Sequence, residues 1–353
     1  MKDIVQSIII EKTMKKRALI TGFTGQDGSY LAEVLFSKGY EVYGLVRRSS
    51  NDPFVRVRHM KDHTHILYGN LRDIASIERA ITVAKPDEIY NLAAQSDVGI
   101  SFKCPEETEE VNYYGVGRLV NAAMRFNPKI RIYQASTSEM FGKTKPPQNE
   151  KSPFHPVSPY GMAKLKAHED FVVGYREKHE LFICSGFLFN HESPCRGEHF
   201  VTRKISISLA KIKLGLQTHL ELGNLNAMRD WGYAGDYVVA MVAMLQQKTP
   251  RDYVIATGKS HTVRDFVNEA ASVLGMDLFW KGKELKEVAV DASGKTIVKV
   301  NKEFYRPVDV DYLLGDSRRA ARELKWKPQT KFKELVRLMV ESDFSALSSC
   351  LTK

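Results

Sequence analysis

Short apolar runs alternate with amphipathic segments of helical period through the first half of the chain. The run RALIT at 17–21 precedes DGSYLAEVLFSKG at 27–39, whose apolar residues recur at helical spacing. Similar pairs follow up to the buried run LFICSGFLF at 181–189. Strands that alternate with helices indicate right-handed βαβ units. We therefore predict an α/β fold with a doubly wound parallel sheet of the Rossmann type.

The second half of the chain is less regular. Beyond residue 190 it is richer in Pro, Gly, Arg and Asn, which suits a smaller, interleaved substrate-binding domain. We predict a dinucleotide-binding domain at 14–188, to which segments near 225–250 and 302–318 return. The substrate-binding domain would comprise 189–224, 251–301 and 319–353, and residues 1–13 would form an N-terminal extension.

The composition argues against several classes of protein. No apolar stretch approaches the roughly 18 residues that span a bilayer, and the N-terminal apolar patch is too short for a secretory signal. The four cysteines have neither CxxC nor zinc spacing, which favours a reduced, cytoplasmic protein without a metal site. The net charge is +10, but the basic residues are dispersed and no nucleic-acid-binding signature occurs. Positive charge of this kind suits small polyanionic ligands.

A glycine-rich loop follows the first predicted strand. Gly22, Gly25 and Gly28 recur every third residue in TGFTGQDGSY, between a strand and a helix. Gly22 permits a tight turn, Gly25 lets backbone N–H groups approach a pyrophosphate, and Gly28 permits close packing of helix on strand. The helix N-terminus adds partial positive charge. The spacing is GxxGxxG rather than the commoner GxGxxG, and in this context it predicts a dinucleotide site.

The end of the second predicted strand distinguishes NADP from NAD. An NAD site usually has an acidic residue there, which binds the ribose 2′-hydroxyl. Here the strand EVYGLV is followed by Arg47, Arg48 and Ser49. Arginines and a hydroxyl suit a 2′-phosphate, which an acidic residue would repel. We therefore predict NADP as the cofactor, against the alternative of a solvated basic turn.

Tyr160 and Lys164 form the only YxxxK in a chain with 15 tyrosines. On a helix these two positions share a face, so the ammonium can lie beside the phenol. The ammonium, together with the positive nicotinamide of an oxidised cofactor, favours the phenolate and lowers the tyrosine pKa from about 10. Such a tyrosine can take a proton from a sugar hydroxyl as hydride leaves the same carbon.

The segment YQASTSEMFG places hydroxyls and a carboxylate at the end of a strand, where open α/β sheets bind ligands. With the glycine loop and YxxxK, it resembles the extended short-chain dehydrogenase/reductase superfamily, which implies that Thr137 is the hydroxyl partner of Tyr160. Glu139 can face the same pocket because alternate side chains of an extended segment share a face. Glu139 could remove a proton from the carbon next to a newly formed ketone. The simpler alternative is that Glu139 is a surface residue that starts a loop. We expect Ser136 and Ser138 to cap backbone groups.

Further blocks of the chain carry a more specific resemblance. NHESPCRGEHFVTRKI, LGNLNAMRDWGYAGDYV, FYRPVDVDYLLGD and DEIYNLAAQSDVGISF, together with QASTSEMFG, resemble the GDP-mannose 4,6-dehydratase family. The similarity runs from about Lys15 to Phe344. It implies GDP-mannose as substrate, a tightly held NADP that is reduced and reoxidised in each cycle, and a GDP-4-keto-6-deoxymannose product on the way to GDP-fucose or GDP-rhamnose. It also implies a homodimer or homotetramer, with the loop 47–59 as a candidate interface.

The resemblance implies roles for individual residues. Thr137, Glu139, Tyr160 and Lys164 would be catalytic: Tyr160 as base at the C4 hydroxyl, Glu139 at C5 and C6, and Lys164 on the nicotinamide ribose. The cofactor-binding set comprises Gly22, Thr24, Gly25, Gln26, Asp27, Gly28, Arg47, Arg48, Ser49, Asn70, Leu71, Leu92, Ala93, Ala94, Tyr160, Lys164, His191 and Arg196. The substrate-binding set comprises Ser96, Asn190, Val201, Lys204, Leu222, Gly223, Asn224, Arg229, Arg306 and Asp309. For His191 a structural role in the NHESP turn competes with cofactor binding, and for Trp231 we expect core packing.

Three positions depart from the family pattern. Asn70 replaces an Asp near the adenine, Asp97 replaces a His, and Val308–Asp309 replaces Thr-Glu. These departures leave the catalytic set complete, but could alter substrate affinity. Alternatives to the dehydratase are a GDP-sugar 4-reductase, a bifunctional dehydratase/reductase and, in a different class, a silent NADP-binding scaffold. Glu139 favours dehydration because a reductase has no need of it.

Overall fold

The computed structural model describes residues 15–305, 310 and 312–351. Strands and helices alternate along this part of the chain. The strands are β1 (Arg17–Thr21), β2 (Glu41–Val46), β3 (Thr64–Tyr68), β4 (Glu88–Asn91), β5 (Arg131–Thr137), β6 (Ile183–Leu188), β7 (His191–Glu192), β8 (Leu220–Leu222), β9 (Met228–Arg229), β10 (Gly232–Tyr233), β11 (Tyr253–Ile255), β12 (His261–Thr262), β13 (Phe279–Lys281), β14 (Val288–Val290) and β15 (Thr296–Val300).

The helices are α1 (Gln26–Ser37), α2 (Ile74–Ala84), α3 (Val98–Lys103), α4 (Pro105–Glu109), α5 (Gly115–Phe126), α6 (Pro159–Ala167), α7 (Gly174–His179), α8 (Val201–Lys213), α9 (Ala234–Leu245), α10 (Val263–Val273), α11 (Arg318–Glu323) and α12 (Phe332–Leu351). A π-helical turn at Glu110–Tyr114 joins α4 to α5, and another at His168–Val173 joins α6 to α7. Among the described residues, no helix is long and apolar enough to cross a membrane.

Seven parallel strands form the central sheet in the order β11-β6-β5-β4-β1-β2-β3. The strand order reverses at β1 and β4, so the loops after these strands diverge and leave a crevice at their carboxyl ends. The predicted α/β fold with a doubly wound parallel sheet is confirmed.

Both faces of the central sheet are buried, as expected for a parallel sheet. Ala18 and Ile20 of β1 pack with α1 and α9 on one face, whereas Leu19 packs with α2 and α5 on the other. This alternation follows from the two-residue period of a strand, and it explains why RALIT reads as a continuous apolar run.

A smaller unit lies beside the carboxyl edge of the central sheet. Its four-stranded sheet has the order β13-β14-β15-β8, and α8, α10 and α12 contribute to the same hydrophobic cluster. Thr262 and Asp265 form a reciprocal capping box at the start of α10. The unit places α8 and the end of β8 opposite the glycine loop.

The boundaries between the two parts differ from the predicted ones at two places. The strand β11 lies within 251–301, yet it pairs with β6 at the edge of the central sheet. Ala320, Leu324 and Trp326 lie within 319–353, yet they pack in the cluster that covers the central sheet. Both segments are short, so their local patterns do not reveal which core they join.

Candidate active site

A cavity of about 1310 Å³ opens at the carboxyl ends of the central strands. Its walls include the ends of β1, β5 and β6 and the segments that follow β2, β4 and β8. The crevice of an open α/β sheet is the usual place for a ligand. Among the described residues, no group of three or more His, Cys, Asp or Glu side chains could hold a metal ion.

The glycine loop forms one end of the cavity. Gly22 has φ +70°, and a Cβ there would lie 2.8 Å from the backbone nitrogen of Ala93. A Cβ on Gly28 would lie 2.5 Å from the carbonyl oxygen of Gly22, so α1 can pack against the loop only without a side chain. Gly25 is the N-cap of α1 and provides no side-chain acceptor. The first N–H groups of α1 are therefore left for an anion.

The cofactor-side predictions fall into two groups. The following residues all line the cavity: Gly22, Thr24, Gly25, Gln26, Asp27, Gly28, Arg47, Asn70, Leu71, Leu92, Ala93, Ala94, Tyr160, Lys164, His191 and Arg196. Arg48 and Ser49 are exposed and lie outside the cavity lining. Of the predicted basic fork, Arg47 reaches the cavity lining.

Thr137 and Glu139 lie together at the end of β5. Thr137 Oγ1 accepts a hydrogen bond from the backbone N–H of Glu139 over 3.2 Å, which starts a short 3₁₀ turn. Both side chains are largely buried and both line the cavity. Ser136 and Ser138 line it as well, and the Ser136 hydroxyl contacts Met140 Sδ at 2.8 Å rather than capping a backbone group.

Tyr160 and Lys164 project from one face of α6. Ser158 caps this helix by accepting from the N–H of Gly161 over 3.1 Å, which places Tyr160 in the first turn. Lys164 Nζ donates to the carbonyl oxygen of Ala135 over 2.9 Å and lies 5.9 Å from the centre of the Tyr160 ring. The hydrogen bond from Lys164 therefore ties α6, which carries Tyr160, to β5, the strand that carries Thr137.

In the protein without a cofactor the Tyr160 pKa is raised, whereas the predicted lowering concerns a site that holds an oxidised nicotinamide. Burial raises the pKa of Tyr160 to about 12, and the Glu139 carboxylate adds to this, whereas hydrogen bonding with Thr137 lowers it. Burial also lowers the pKa of Lys164 to about 8. Desolvation penalises the charged form of each group.

The glycine loop is tied to the segment after β6 by a buried ion pair. His191 Nε2 lies 2.8 Å from Asp27 Oδ2, and the Gln26 side chain donates to the backbone carbonyl of His191 over 3.1 Å. Ser193 Oγ in turn donates to Gln26 Oε1 over 2.8 Å. His191 therefore has the structural role considered above, while it also lines the cavity.

The substrate-side predictions meet at the other end of the cavity. Ser96, Asn190, Val201, Lys204, Leu222, Gly223, Asn224 and Arg229 all line it. Arg306 and Asp309 lie outside the described residues. Asn190 Oδ1 is buried without a hydrogen-bond partner among the described residues, and it thus provides an acceptor for a ligand.

Cationic groups on this side are held by aromatic rings and carboxylates. Lys204 Nζ lies 3.3 Å from the centre of the Phe304 ring, and the Arg196 guanidinium lies 3.6 Å from that of Phe200. Arg196 Nε is also 3.0 Å from Glu192 Oε2. The pKa of Lys204 is lowered because burial outweighs the opposing effect of the Glu221 carboxylate.

Several cavity residues escaped the sequence analysis. Phe304 and Tyr305 line the cavity, and they stand in the FYRP block, where the motif could have revealed them. Lys103 and His199 also line it, and no local pattern marks them. Trp231 reaches the lining but packs against Phe266 and Phe332, as expected for a core residue.

Two of the three departures have visible partners. Asn70 Oδ1 accepts from the N–H of Arg72 over 3.1 Å, so the amide oxygen supports the loop after β3. Asp97 caps α3 by accepting from the N–H of Ile100 over 3.0 Å, and its other oxygen lies 3.5 Å from His199 Nε2. The third position lies outside the described residues.

The doubly wound sheet and its glycine loop define a fold of the Rossmann type, which solved nucleotide-sugar epimerases and dehydratases share. One solved structure of this fold is RMD from Pseudomonas aeruginosa complexed with NADPH, with a TM-score of 0.74 and 19% sequence identity, covering 94% of this chain and 100% of that one.

Sequence comparison gives the narrower class. The family model for GDP-mannose 4,6 dehydratase matches residues 19–339. GDP-mannose 4,6 dehydratase of Homo sapiens is 50% identical over 338 residues, which cover 92% of this chain and 91% of the human protein. GDP-mannose 4,6 dehydratase 2 of Caenorhabditis elegans is 49% identical over 347 residues, covering 95% and 91%. The chain belongs to the GDP-mannose 4,6-dehydratase family and, with it, to the hydro-lyases.

Proposed function

We propose that this protein converts GDP-mannose to GDP-4-keto-6-deoxymannose and water, with NADP as a cofactor that each cycle restores. The observation that carries the proposal is that Glu139 lines the same cavity as Thr137, Tyr160 and Lys164. A simple sugar reductase needs the hydroxyl, the tyrosine and the lysine, but has no use for a buried carboxylate. The family membership supports the same reaction and substrate.

The residues present fit a dinucleotide. Side chains at Gly22 and Gly28 would fill the cradle, and the bare first turn of α1 suits a pyrophosphate. Arg47 would bind the 2′-phosphate that distinguishes NADP, and Lys164 would bind the nicotinamide ribose. Bound NADP would supply the acceptor for the C4 hydride and return that hydride to C6.

Proton transfers fall to the chain's own side chains. Tyr160 Oη would take the proton of the C4 hydroxyl, with Thr137 as its hydrogen-bond partner. Glu139 would then remove the C5 hydrogen, which the C4 ketone acidifies, and give a proton to the C6 hydroxyl as it leaves as water. C5 regains a proton at the end, so the net change is the loss of one water.

The raised pKa of Tyr160 constrains this scheme. At neutral pH the phenol is protonated in the protein alone, because burial disfavours the phenolate. Lys164 and a cationic nicotinamide both favour the phenolate, so the base would form only in the loaded site. This arrangement would couple proton removal to the presence of the oxidised cofactor.

The substrate's diphosphate would lie at the opposite end of the cavity from the glycine loop. Lys204 and Arg229 offer positive charge there, and the Asn190 amide oxygen could accept a hydrogen bond from a hydroxyl of the sugar. Arginine provides bidentate geometry for phosphate, and lysine provides a point charge. These residues bind without taking part in proton transfer.

The test is to incubate purified, NADP-loaded protein with GDP-mannose and no added cofactor. We expect a product lighter by one water, detected by mass spectrometry, and no accumulation of NADPH. The absence of product would contradict the proposal. Further reduction of that product when NADPH is supplied would identify the bifunctional alternative.

For the cellular setting we propose a cytoplasmic homo-oligomer. The family resemblance supports self-association, and the loop 47–59, where Val55 is 67% exposed beside exposed arginines, is the candidate interface. Light scattering on the purified protein tests this, and a monomer at micromolar concentration would contradict it. Replacing Val55 by Ser should weaken the assembly if this loop is the interface.

A further inference from the structure

Asp27 is an unexpected residue at an anion-binding helix terminus. It lies in the first turn of α1, next to the N–H groups that would bind the pyrophosphate. A carboxylate there competes with a ligand phosphate for the same positive end of the helix. Without a compensating positive charge, the Asp27 carboxylate would therefore weaken the binding of a pyrophosphate at the glycine loop.

His191 faces two acceptors, and this determines its charge. Its Nε2 lies 2.8 Å from Asp27 Oδ2, and its Nδ1 lies 2.8 Å from the carbonyl oxygen of Phe189. A carbonyl oxygen can only accept, so Nδ1 carries a hydrogen, and a carboxylate facing Nε2 requires a second one. The ring that satisfies both partners is the imidazolium. Tyr237 stacks on it at 4.8 Å between ring centres and fixes its plane.

Gln26 and Ser193 extend this pair into a clamp of four side chains: Gln26, Asp27, His191 and Ser193. Gln26 Nε2 donates to Asp27 Oδ1 and to the His191 carbonyl, each over 3.1 Å, and Ser193 Oγ donates to Gln26 Oε1. The clamp joins the first turn of α1 to 189–193, the segment that carries Asn190 into the cavity. It therefore links the cofactor end to the substrate end.

We propose that His191 is a positioning residue that acts through Asp27. Its positive charge neutralises the Asp27 carboxylate, so the first turn of α1 accepts a pyrophosphate, and its hydrogen bonds hold the loop in register with Asn190. This inference rests on the proposed binding of NADP to the glycine loop. It concerns charge compensation within the protein rather than a contact between His191 and the ligand.

Charged and titratable groups from each neighbouring element act on His191. Asp27 approaches from α1, the Tyr237 ring stacks on it from α9, and Arg196 acts from the segment after β7. Burial lowers the pKa of His191, but the Asp27 carboxylate more than offsets this and the pKa is raised. Burial likewise opposes ionisation of Asp27, yet its pKa is lowered by His191.

The sign of each shift defines a pH window for the clamp. Because the pKa of His191 is raised, its contribution to folding stability is complete below pH 6.5 and is lost as the pH rises through the raised pKa. The lowered pKa of Asp27 means that its contribution is complete above 3.8 and is lost as pH falls through the lowered value. NADP should therefore bind more weakly as the pH rises through the raised pKa of His191 and the ring loses its proton.

The test compares NADP affinity in His191→Gln, Asp27→Asn and the double variant. We expect His191→Gln to raise the dissociation constant for NADP at least tenfold, because it leaves Asp27 uncompensated beside the pyrophosphate. Asp27→Asn has no carboxylate to compensate, so its NADP affinity should not depend on the protonation of His191. The double variant should recover most of the loss, and only the wild type should lose affinity as His191 deprotonates.

Each outcome has a definite meaning. Unchanged affinity in His191→Gln, or a double variant that binds no better than His191→Gln, would overturn the inference, because a purely structural role gives no rescue. If His191→Gln fails to fold, the pH profile of the wild type set against Asp27→Asn decides the question, and identical profiles overturn the inference. Wild-type protein that binds no NADP would overturn the proposed function as well, which separates the two failures.

Discussion

Replacing Lys164 by methionine should make the protein more stable and almost inactive. The Lys164 side chain is 3% exposed, and burial lowers its pKa from 10.5 to about 8. At neutral pH the ammonium is therefore held in the fold at a cost in free energy. Methionine fills a similar volume without charge, so it removes this cost together with the proposed contact to the cofactor ribose.

The magnitude follows from the pKa difference. A difference of 10.5 − 8 = 2.5 corresponds to about 3 kcal/mol at ~1.36 kcal/mol per pKa unit. Loss of the hydrogen bond from Lys164 to the Ala135 carbonyl lowers the free energy of unfolding by about 1 kcal/mol. That carbonyl keeps a donor, because Gln134 Nε2 donates to the same oxygen over 2.8 Å. The net expected gain in the free energy of unfolding is about 2 kcal/mol at pH 7.

The pH dependence has a definite sign. Between pH 8 and 10.5 the unfolded chain binds more protons at this residue than the folded chain, so wild-type stability rises with pH across that window. The gain in stability of Lys164→Met over the wild type is complete below pH 8 and disappears by pH 10.5. Urea unfolding of both cofactor-free proteins at pH 7 and pH 10 measures it.

Lys166 provides the matched control. It lies two residues further along α6, is exposed, and pairs with Glu109 at 2.7 Å. Lys166→Met should leave both activity and the unfolding midpoint near wild type, whereas Lys164→Met should lose at least ~100-fold in rate. A lower urea midpoint than wild type at pH 7 for Lys164→Met would refute the stability reasoning, and wild-type activity would remove Lys164 from the mechanism.

Three further substitutions test the site. Glu139→Gln should still bind NADP and oxidise C4 but lose no water, so absorbance at 340 nm should accumulate on adding GDP-mannose; product at the wild-type rate argues against this role. Arg47→Ala should weaken NADP at least tenfold relative to NAD, whereas Arg48→Ala, outside the cavity, should leave the ratio of dissociation constants unchanged; equal effects would contradict the assignment. Tyr160→Phe should slow product formation at least ~100-fold, and product at the wild-type rate would count against the tyrosine base.

Local pattern was enough to predict the fold and one half of the site. The strand–helix alternation predicts the parallel sheet because both signals are periodic over short distances. The glycine loop is marked locally by its spacing between a strand and a helix, and the crowding at Gly28 comes from the nearby Gly22 and Phe23. Thr137 and Glu139 could be placed because strand ends converge at one edge of a parallel sheet.

Long-range contacts and burial could not be predicted in this way. Asp27 and His191 are far apart in the chain, and neither segment shows that the other lies 2.8 Å away. The pKa of Tyr160 in the cofactor-free protein depends on how deeply the fold buries the phenol, which the sequence does not show. The strand β11 is only three residues long, which hid its place in the central sheet.

The central claim is that a single hydride leaves C4 and returns to C6 of the same sugar. The most direct measurement uses GDP-mannose that carries deuterium at C4, incubated with the NADP-loaded protein without added cofactor. The account predicts one deuterium at C6 of the 4-keto-6-deoxy product, located by NMR. A product without deuterium at C6, or with deuterium retained at C4, would contradict it.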